Sequence, residues 1–487
     1  MPNIYTAEAI REWDAYTIKH EPISSIDLME RAALRCCKRI LGSYLFESIC
    51  FVCGQGNNGG DGLAMARIFS ELGKTVTVFI CSSAAQGSAD FEINLKRLPN
   101  SVKKKVLKPT DEIPRFKAEI LVDCLFGSGL NRPIEGWLST VISHINQYES
   151  TTIAIDIPSG LYVFDNRNNP LVSVVRANKT LSFQTPKFPF FFAKYASYIG
   201  EFSIIDISLS GAYKAEGIAQ YITGSDARLF SRDKFVHKGN KGFLTLIAGC
   251  DTMIGAALMS AQAAFRTGCG YVGVISNSTI VSPLTTTLPE AMWIGEGFDS
   301  LPDKTSAIAI GPGLGQSEHA LSLLKKALSS KKTMVIDADA INLLVAHSEL
   351  LDQLPENSIL TPHIGELQRL IGTANSPEAF LDKQKAFSKK YNIYLLQKGA
   401  HSKLTTPEGL LYINSTGNSA MATAGMGDAL TGMIGSFLAQ GYTPLLAAIN
   451  GMYYHGLAGD IAVQTNGQYG LLTSDVINKI PAALNGL

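Results

Sequence analysis

The strongest constraint on this chain is a repeating alternation. Short apolar runs rich in Val, Ile and Phe are separated by stretches whose apolar residues recur at helical spacing. In the N-terminal series, helices are predicted over 7–18 and 25–41. Strands are predicted over 49–53, 75–81, 119–124 and 152–157, with a helix over 62–72 between the first two. The run SIIDIS (203–208) closes the series. A second series begins at Phe243 with FLTLIAG and continues through YVGVIS, SAIAIG, TMVIDA, NSILTP, NIYLLQ and GLLYIN. Strands that alternate with helices imply a parallel sheet covered on both faces. The stretch 209–233 between the series is polar and weakly periodic. The expected fold class is therefore α/β in two three-layer domains, 1–212 and 225–487, of roughly 210 and 250 residues.

Composition narrows the function classes. The 487 residues hold 42 Lys+Arg against 42 Asp+Glu, and only 17% are charged while 46% are hydrophobic. Such a chain has material for real cores and is not disordered. Zero net charge argues against a nucleic-acid surface built on bulk positive potential. The opening MPNIYTAEAIREWDAY is charged from Glu8 on and lacks an apolar signal core, so no export signal is expected. From Ala429 to Gly459 there is no Asp, Glu, Lys or Arg, yet Gln440-Gly441-Tyr442-Thr443-Pro444 interrupts the run. Two buried helices joined by a turn are predicted there, and no membrane span. Cys50-x-x-Cys53 lies inside the apolar run SICFVC with no partner pair at zinc spacing, so the cysteines read as small buried hydrophobes of a reducing cytoplasm.

Chemistry concentrates at the strand ends. Gly54-Gln55-Gly56-Asn57-Asn58-Gly59-Gly60-Asp61-Gly62 follows a predicted strand and precedes a predicted helix. That context suits backbone N–H groups approaching a phosphate-bearing ligand, with a tight glycine turn as the competing explanation. An NAD dehydrogenase would carry an acidic residue at the end of the next strand, which here ends Cys81-Ser82-Ser83. Asp123 in ILVDCLFGSGLNRP and Asp156 in IAIDIPSG also end apolar runs, so both should approach the glycine-rich turn. A helix N-cap is the bland alternative for either aspartate alone. Oxygens of Asn58, Asp123 and Ser159 suit a hard cation.

GQGNNGGDG, DCLFGSGLNRP and DIPSGL, with REWDAYTIKH and LMERAA upstream, closely resemble the NAD(P)H-hydrate epimerase family over roughly 1–210. The resemblance implies a Rossmann-like domain that interconverts the R and S forms of NAD(P)HX, the hydrated and damaged form of NAD(P)H. It implies that Asn57, Asn58, Gly59, Gly60 and Asp61, with Gly127, Ser128, Gly129, Leu130, Asn131, Arg132 and Pro133, cradle the dinucleotide. By the same resemblance, Asn58, Asp123 and Ser159 bind K+, and Asp156 faces the nicotinamide as the catalytic carboxylate. Cys124 departs from the family, which often has alanine there.

In the second half, Asn418-Ser419-Ala420-Met421-Ala422-Thr423-Ala424-Gly425-Met426-Gly427-Asp428 precedes an apolar helix. Glycines before an Asp at a helix start make an anion hole with a carboxylate beside it. No GxxxxGK[ST] occurs, so this is not a P-loop protein. The G-x-G-D arrangement resembles the ribokinase-like superfamily instead. TPHIGE at 361–366 resembles the T-P-N-x-x-E of vitamin kinases, with His363 in the asparagine position and Glu366 expected near a nucleotide-bound Mg2+ through water. VHKGNKGFLTLIAGCDTMIGAA, FRTGCGYV, LPEAM, IGPGLG, DADAIN and QKG match one branch, the NAD(P)H-hydrate dehydratases, over about 225–485.

That branch implies dehydration of (6S)-NAD(P)HX at the expense of ADP, with ATP the other candidate. Asp428 would be the base; Ala256, Gly315 and His363 would contact the hydrated nucleotide; Lys398, Gly399, Ala400, His401, Ser402 and Gly427 would hold ADP. The expected partner is the small molecule NADHX or NADPHX, and a cytoplasmic homo-oligomer is expected. Two other readings compete: a ribokinase-like vitamin kinase with an accessory Rossmann-like binding domain, and a non-enzymatic binding scaffold. His363 in place of asparagine weighs against the first, and the intact Asn58, Asp123 and Asp156 weigh against the second.

Overall fold

A computed structural model describes residues 3–82, 86–231 and 234–486. Ser83, Asp233 and Leu487 lie outside the described residues. The chain divides into two compact units, Asn3–Ile218 and a second beginning at Ala219.

The first unit contains α1 (Ala7–His20), α2 (Ser25–Leu41), β1 (Ser48–Cys53), α3 (Asn57–Glu71), β2 (Thr75–Cys81), α4 (Ala89–Arg97), β3 (Lys103–Leu107), β4 (Ile120–Cys124), α5 (Trp137–Asn146), β5 (Thr151–Ile155), β6 (Lys179–Phe183) and β7 (Glu201–Ile205). Seven of its strands form one parallel sheet in the order β3-β2-β1-β4-β5-β6-β7. The order reverses between β1 and β4, and ligands of such sheets bind at that crevice. α2 shows why the sequence folds this way. Ser24 caps its N-terminus by accepting from the Asp27 N–H, and Leu28, Met29, Ala32, Ala33, Cys36, Cys37 and Ile40 form its buried stripe.

Two sequence expectations are corrected here. α3 starts at Asn57 rather than at 62, because the run NNGGDG is itself helical. Poor helix formers hid a turn that tertiary packing supports. Part of the span read as a junction also belongs to the first unit. The Trp13 indole N–H donates to the Ser210 carbonyl at 2.9 Å, and Tyr213 stacks on Trp13 at 5.8 Å between ring centres.

The second unit contains β8 (Ala219–Ile222), β9 (Phe243–Ile247), α6 (Ile254–Arg266), β10 (Tyr271–Ile275), α7 (Val281–Thr287), β11 (Met292–Gly295), β12 (Ala307–Ile310), α8 (Glu318–Ser329), β13 (Met334–Ile336), α9 (Ala338–Ala346), β14 (Ile359–Leu360), α10 (Ile364–Ile371), α11 (Pro377–Tyr391), β15 (Tyr394–Gln397), β16 (Lys403–Thr405), β17 (Leu411–Asn414), α12 (Met426–Ala439), α13 (Pro444–Asn466) and α14 (Thr473–Asn485). These strands are ordered β8-β17-β16-β15-β14-β13-β12-β9-β10-β11. β16 runs antiparallel to both neighbours and the other pairings are parallel. The reversal falls between β9 and β12. The uncharged run after Asp428 is α12 and α13 with a turn between them, as expected, and no described helix is long and apolar enough to cross a membrane. α12 packs directly on the sheet: a Cβ on Gly435 would sit 3.0 Å from Leu244 and 3.1 Å from Ala309.

Candidate active sites at two sheet edges

The first site gathers the carboxyl ends of β1, β4 and β5. Asp123, fully buried near the end of β4, accepts from the Ser159 hydroxyl at 2.6 Å, the Ser159 N–H at 2.8 Å and the Leu125 N–H at 3.2 Å. Burial nevertheless pushes its carboxyl up to about 6. Asn58, in the first turn of α3, is buried with no hydrogen-bond partner on either amide atom. An orphaned buried amide costs about 1–3 kcal/mol unless a ligand satisfies it.

Asp156 follows β5 with φ 67°, in the left-handed region that L residues rarely adopt. Such backbone persists where its surroundings over-determine it, often at functional sites. Asp156 Oδ2 accepts from the Ser128 N–H at 3.0 Å, and Oδ1 pairs with Lys187 Nζ at 2.9 Å. Lys187 is fully buried and also donates to the Phe183 and Thr185 carbonyls. Asp14 on α1 completes the group. Burial, then the Asp156 charge, push it up to about 6, against the pull of Lys187. Asp61 is pushed well above its ordinary range by burial and then by Asp156 and Asp14. Gly127 adjoins both walls: a Cβ there would lie 3.2 Å from the Asn58 Cβ and 3.3 Å from Asp156 Oδ2. Beyond it Ser128, Gly129, Leu130, Asn131, Arg132 and Pro133 run along the surface, with Asn131, Arg132 and Pro133 exposed.

The glycine run divides by function. A Cβ on Gly54 would collide with the Leu125 carbonyl, and one on Gly59 with the Gly54 carbonyl. One on Gly62 would sit 2.7 Å from Cys53 Sγ and 2.8 Å from the Cys124 Cβ. These glycines let α3 lie close on β1 and β4, whereas Gly56 and Asn57 are exposed. Because the Gly54 carbonyl is backbone and cannot move aside cheaply, Gly59→Ala should destabilise the first unit by about 3 kcal/mol or more. Denaturant unfolding read on the first unit checks this.

The second site lies at the N-terminus of α12. Gly425, at φ 90°, turns the chain into the helix, and Asp428 stands in the first turn. Burial, then the neighbouring Asp337 carboxylate, push Asp428 up to about 6 despite Lys398. Lys398 Nζ is 2.6 Å from Asp337 Oδ1, and Thr431 donates to Asp337 Oδ2 at 2.7 Å. Gly427 gives that ammonium room, since a Cβ there would lie 3.0 Å from Lys398 Nζ. Asp339, which also acts on Asp428, accepts from the Gly315 N–H at 2.8 Å. Ala256 packs against the same loop, 2.9 Å from where a Gly313 Cβ would stand.

His363 caps α10: its Nδ1 accepts from the Gly365 N–H at 3.0 Å, so Nε2 carries the proton in the neutral ring. Glu366 is buried and accepts from the His363 N–H at 2.8 Å. A cavity of about 670 Å³ is lined by His363, the 398–402 turn, Gly427, Asn414, Met452 and His455. His455 is buried, pushed down to about 4 by burial and then Lys398, and its Nε2 has no hydrogen-bond partner.

A family model described as NAD(P)H-hydrate dehydratase matches residues 244–482, and one described as YjeF-related protein N-terminus matches 25–188. The bifunctional NAD(P)H-hydrate repair enzyme of Coxiella burnetii is 34% identical over 100% of both chains. That of Moorella thermoacetica is 32% identical over 99% of this chain and 97% of its own. The chain belongs to the bifunctional NAD(P)H-hydrate repair enzyme family. A crystal structure of a ribokinase-like superfamily protein from Enterococcus faecalis, 27% identical with a TM-score of 0.50, covers 56% of this chain and 98% of its own. The second unit of this repair-enzyme family member is thus ribokinase-like, and its first is the Rossmann-like sheet described above.

Within this family member, sequence reasoning passed over Lys187, Asp14, Asp337 and His455. The signal for Lys187 was a single cation inside the otherwise apolar TPKFPFFF, since a buried ammonium must find a carboxylate. Asp14 and Asp337 stood inside motifs that were read as wholes, REWDAY and DADAIN. His455 lay in a helix read as core.

Proposed function

We propose that this chain repairs hydrated nicotinamide nucleotides: the first unit interconverts the R and S forms of NAD(P)HX, and the second dehydrates the S form at the expense of ADP. The observation that carries the reading is Asp428, set between the Asp337–Lys398 pair and Asp339 at the start of α12.

In the first unit, epimerisation requires the C6 hydroxyl to leave and return on the other face, or the ring to open. Asp156, fixed by Lys187 and the Ser128 N–H, is the carboxylate placed to stabilise cationic character on the ring and to assist proton movement. Asp14, whose carboxyl is pushed up to about 6 by burial and then by the Asp156 charge, is a further group able to carry a proton near neutrality. Asn58, Asp123 and Ser159 fit a K+ ion, because the Asn58 amide is unsatisfied and the Asp123 carboxylate is buried without a cationic partner in its hydrogen bonds. Bound there, the ion would supply charge balance beneath the dinucleotide.

In the second unit, Lys398, Gly399, Ala400, His401, Ser402 and Gly427 hold the nucleotide, with His455 Nε2 available as a further hydrogen-bonding group. Asp428 takes the proton of the substrate hydroxyl as its oxygen attacks the terminal phosphoryl group of ADP. AMP leaves, the ring nitrogen's lone pair expels phosphate from C6 to leave an iminium cation, and loss of the C5 proton to the departing phosphate gives NAD(P)H. Mg2+ carried by the nucleotide would supply charge neutralisation of the phosphates, with Glu366 facing it through water.

The test is to incubate mixed R and S NADHX with ADP and Mg2+ and follow the reduced-nicotinamide absorbance. Complete recovery supports both activities; recovery that stops at the S fraction removes the epimerase; none with ADP or ATP overturns the reading. The dehydration rate should also rise with pH through about 6 and level off above it, because Asp428 accepts a proton only as the carboxylate. A rate that falls across that interval would contradict the base role.

A further inference from the structure

Asp337 follows β13 directly, and only 1% of it is exposed. Its backbone is fixed from two sides. The Asp337 N–H donates to the Ile310 carbonyl at 3.0 Å, and a Cβ on Gly311 would collide with the Asp337 carbonyl. The next residue, Ala338, takes φ 47°, a strained conformation for an L residue that persists only where its surroundings hold it. Both side-chain oxygens are engaged from other elements. Lys398, just after β15, donates to Oδ1 at 2.6 Å, and Thr431 in α12 donates to Oδ2 at 2.7 Å.

The neighbouring carboxylate is left bare. No described residue pairs with the Asp428 side chain or donates to it; the Ser260 hydroxyl bonds its backbone carbonyl instead. Yet the Lys398 charge reaches Asp428. A Cβ on Gly427, the residue before it, would lie 3.0 Å from Lys398 Nζ and 3.5 Å from Asp337 Oδ2. An ammonium free to move would pair with Asp428, and a carboxylate held in an ion pair is a poor base. Asp337 takes that ammonium. Burial raises the Asp428 carboxyl first and the Asp337 charge next; Lys398 opposes them, and Asp339 on α9 adds a smaller push. His455 on α13 faces Lys398 and is held neutral by burial and then by that lysine.

We propose, resting on the dehydratase reading above, that Asp337 is a positioning residue: it holds Lys398 on the nucleotide side of the site and so leaves the Asp428 carboxylate free to take the substrate proton. Lys398 lines the nucleotide cavity from there. The experiment measures kcat/KM for (S)-NADHX at saturating ADP and Mg2+, from about pH 4 to 8, where the acid limb reports the base. Asp337→Asn is isosteric and keeps an acceptor for Thr431, but it frees Lys398 and removes a repelling charge. Its limb should fall by about one pH unit or more below that of the wild type, and its plateau by about tenfold or more. Lys398→Met should raise the limb, because the Asp337 charge then acts unopposed. The double variant Asp337→Asn/Lys398→Met should return the limb toward the wild-type position, while the KM for ADP rises as in Lys398→Met alone. A merely structural Asp337 would lower the plateau and leave the limb in place, and that result overturns the proposal. So does a double variant whose limb stays with that of Asp337→Asn, since the shift would then not run through Lys398. Should thermal unfolding show that Asp337→Asn does not fold, Lys398→Met carries the test, and a limb that fails to rise overturns the proposal. A wild type that turns over no (S)-NADHX overturns instead the dehydratase reading beneath it.

Discussion

Asp428→Asn should lower ADP-dependent dehydration by about 100- to 10,000-fold, the ordinary worth of a positioned general base, and leave epimerisation intact. The substitution is isosteric and keeps the turn made by Gly425 and the start of α12. Its cost in stability should be small. Asparagine gives up a favourable first-turn charge worth about 0.3–1 kcal/mol. It also removes the repulsion that Asp337 and Asp339 exert on the wild-type carboxylate. Single-turnover dehydration of (S)-NADHX, with chromatographic separation of R and S for the epimerase, reads both activities in one preparation. Loss of both would contradict two separate sites.

Lys187→Met should abolish epimerisation and destabilise the first unit by about 3–5 kcal/mol, because it strands the buried Asp156 carboxylate without its cation. The two effects separate in the double variant Asp156→Asn/Lys187→Met. Without a buried charge, stability should return while epimerisation stays lost, since the carboxylate proposed to act on the ring is gone. Thermal unfolding and R-to-S exchange measured on the wild type and the single and double variants check this. If Lys187→Met keeps full exchange, Lys187 is no more than a structural counter-ion.

β1, β2, β4 and β5 were legible because their apolar runs are strongly β-branched and flanked by turns. β3 was not: KKKVL has three lysines and reads as a solvated loop, yet it forms the edge of the sheet, where lysines are common because they discourage edge-to-edge pairing. The two-helix reading of the uncharged C-terminal run succeeded because Gly441 and Pro444 mark the turn between α12 and α13. The start of α3 failed because Asn and Gly score poorly in isolation, while in the fold they fit where no Cβ has room.

The sequence by itself determined the parallel α/β class, the repair-enzyme resemblance, and the strand ends at which Asp123 and Asp156 stand. It did so because hydrophobic period and strand-end chemistry are local properties. Only the tertiary structure decided that Lys187 neutralises Asp156 and that Asp337 fixes Lys398 beside Asp428. Those residues are separated along the chain by loops and whole elements, and no periodicity links them. They meet because strand order places their ends together, and because a charge taken out of water must find its partner wherever the fold brings one.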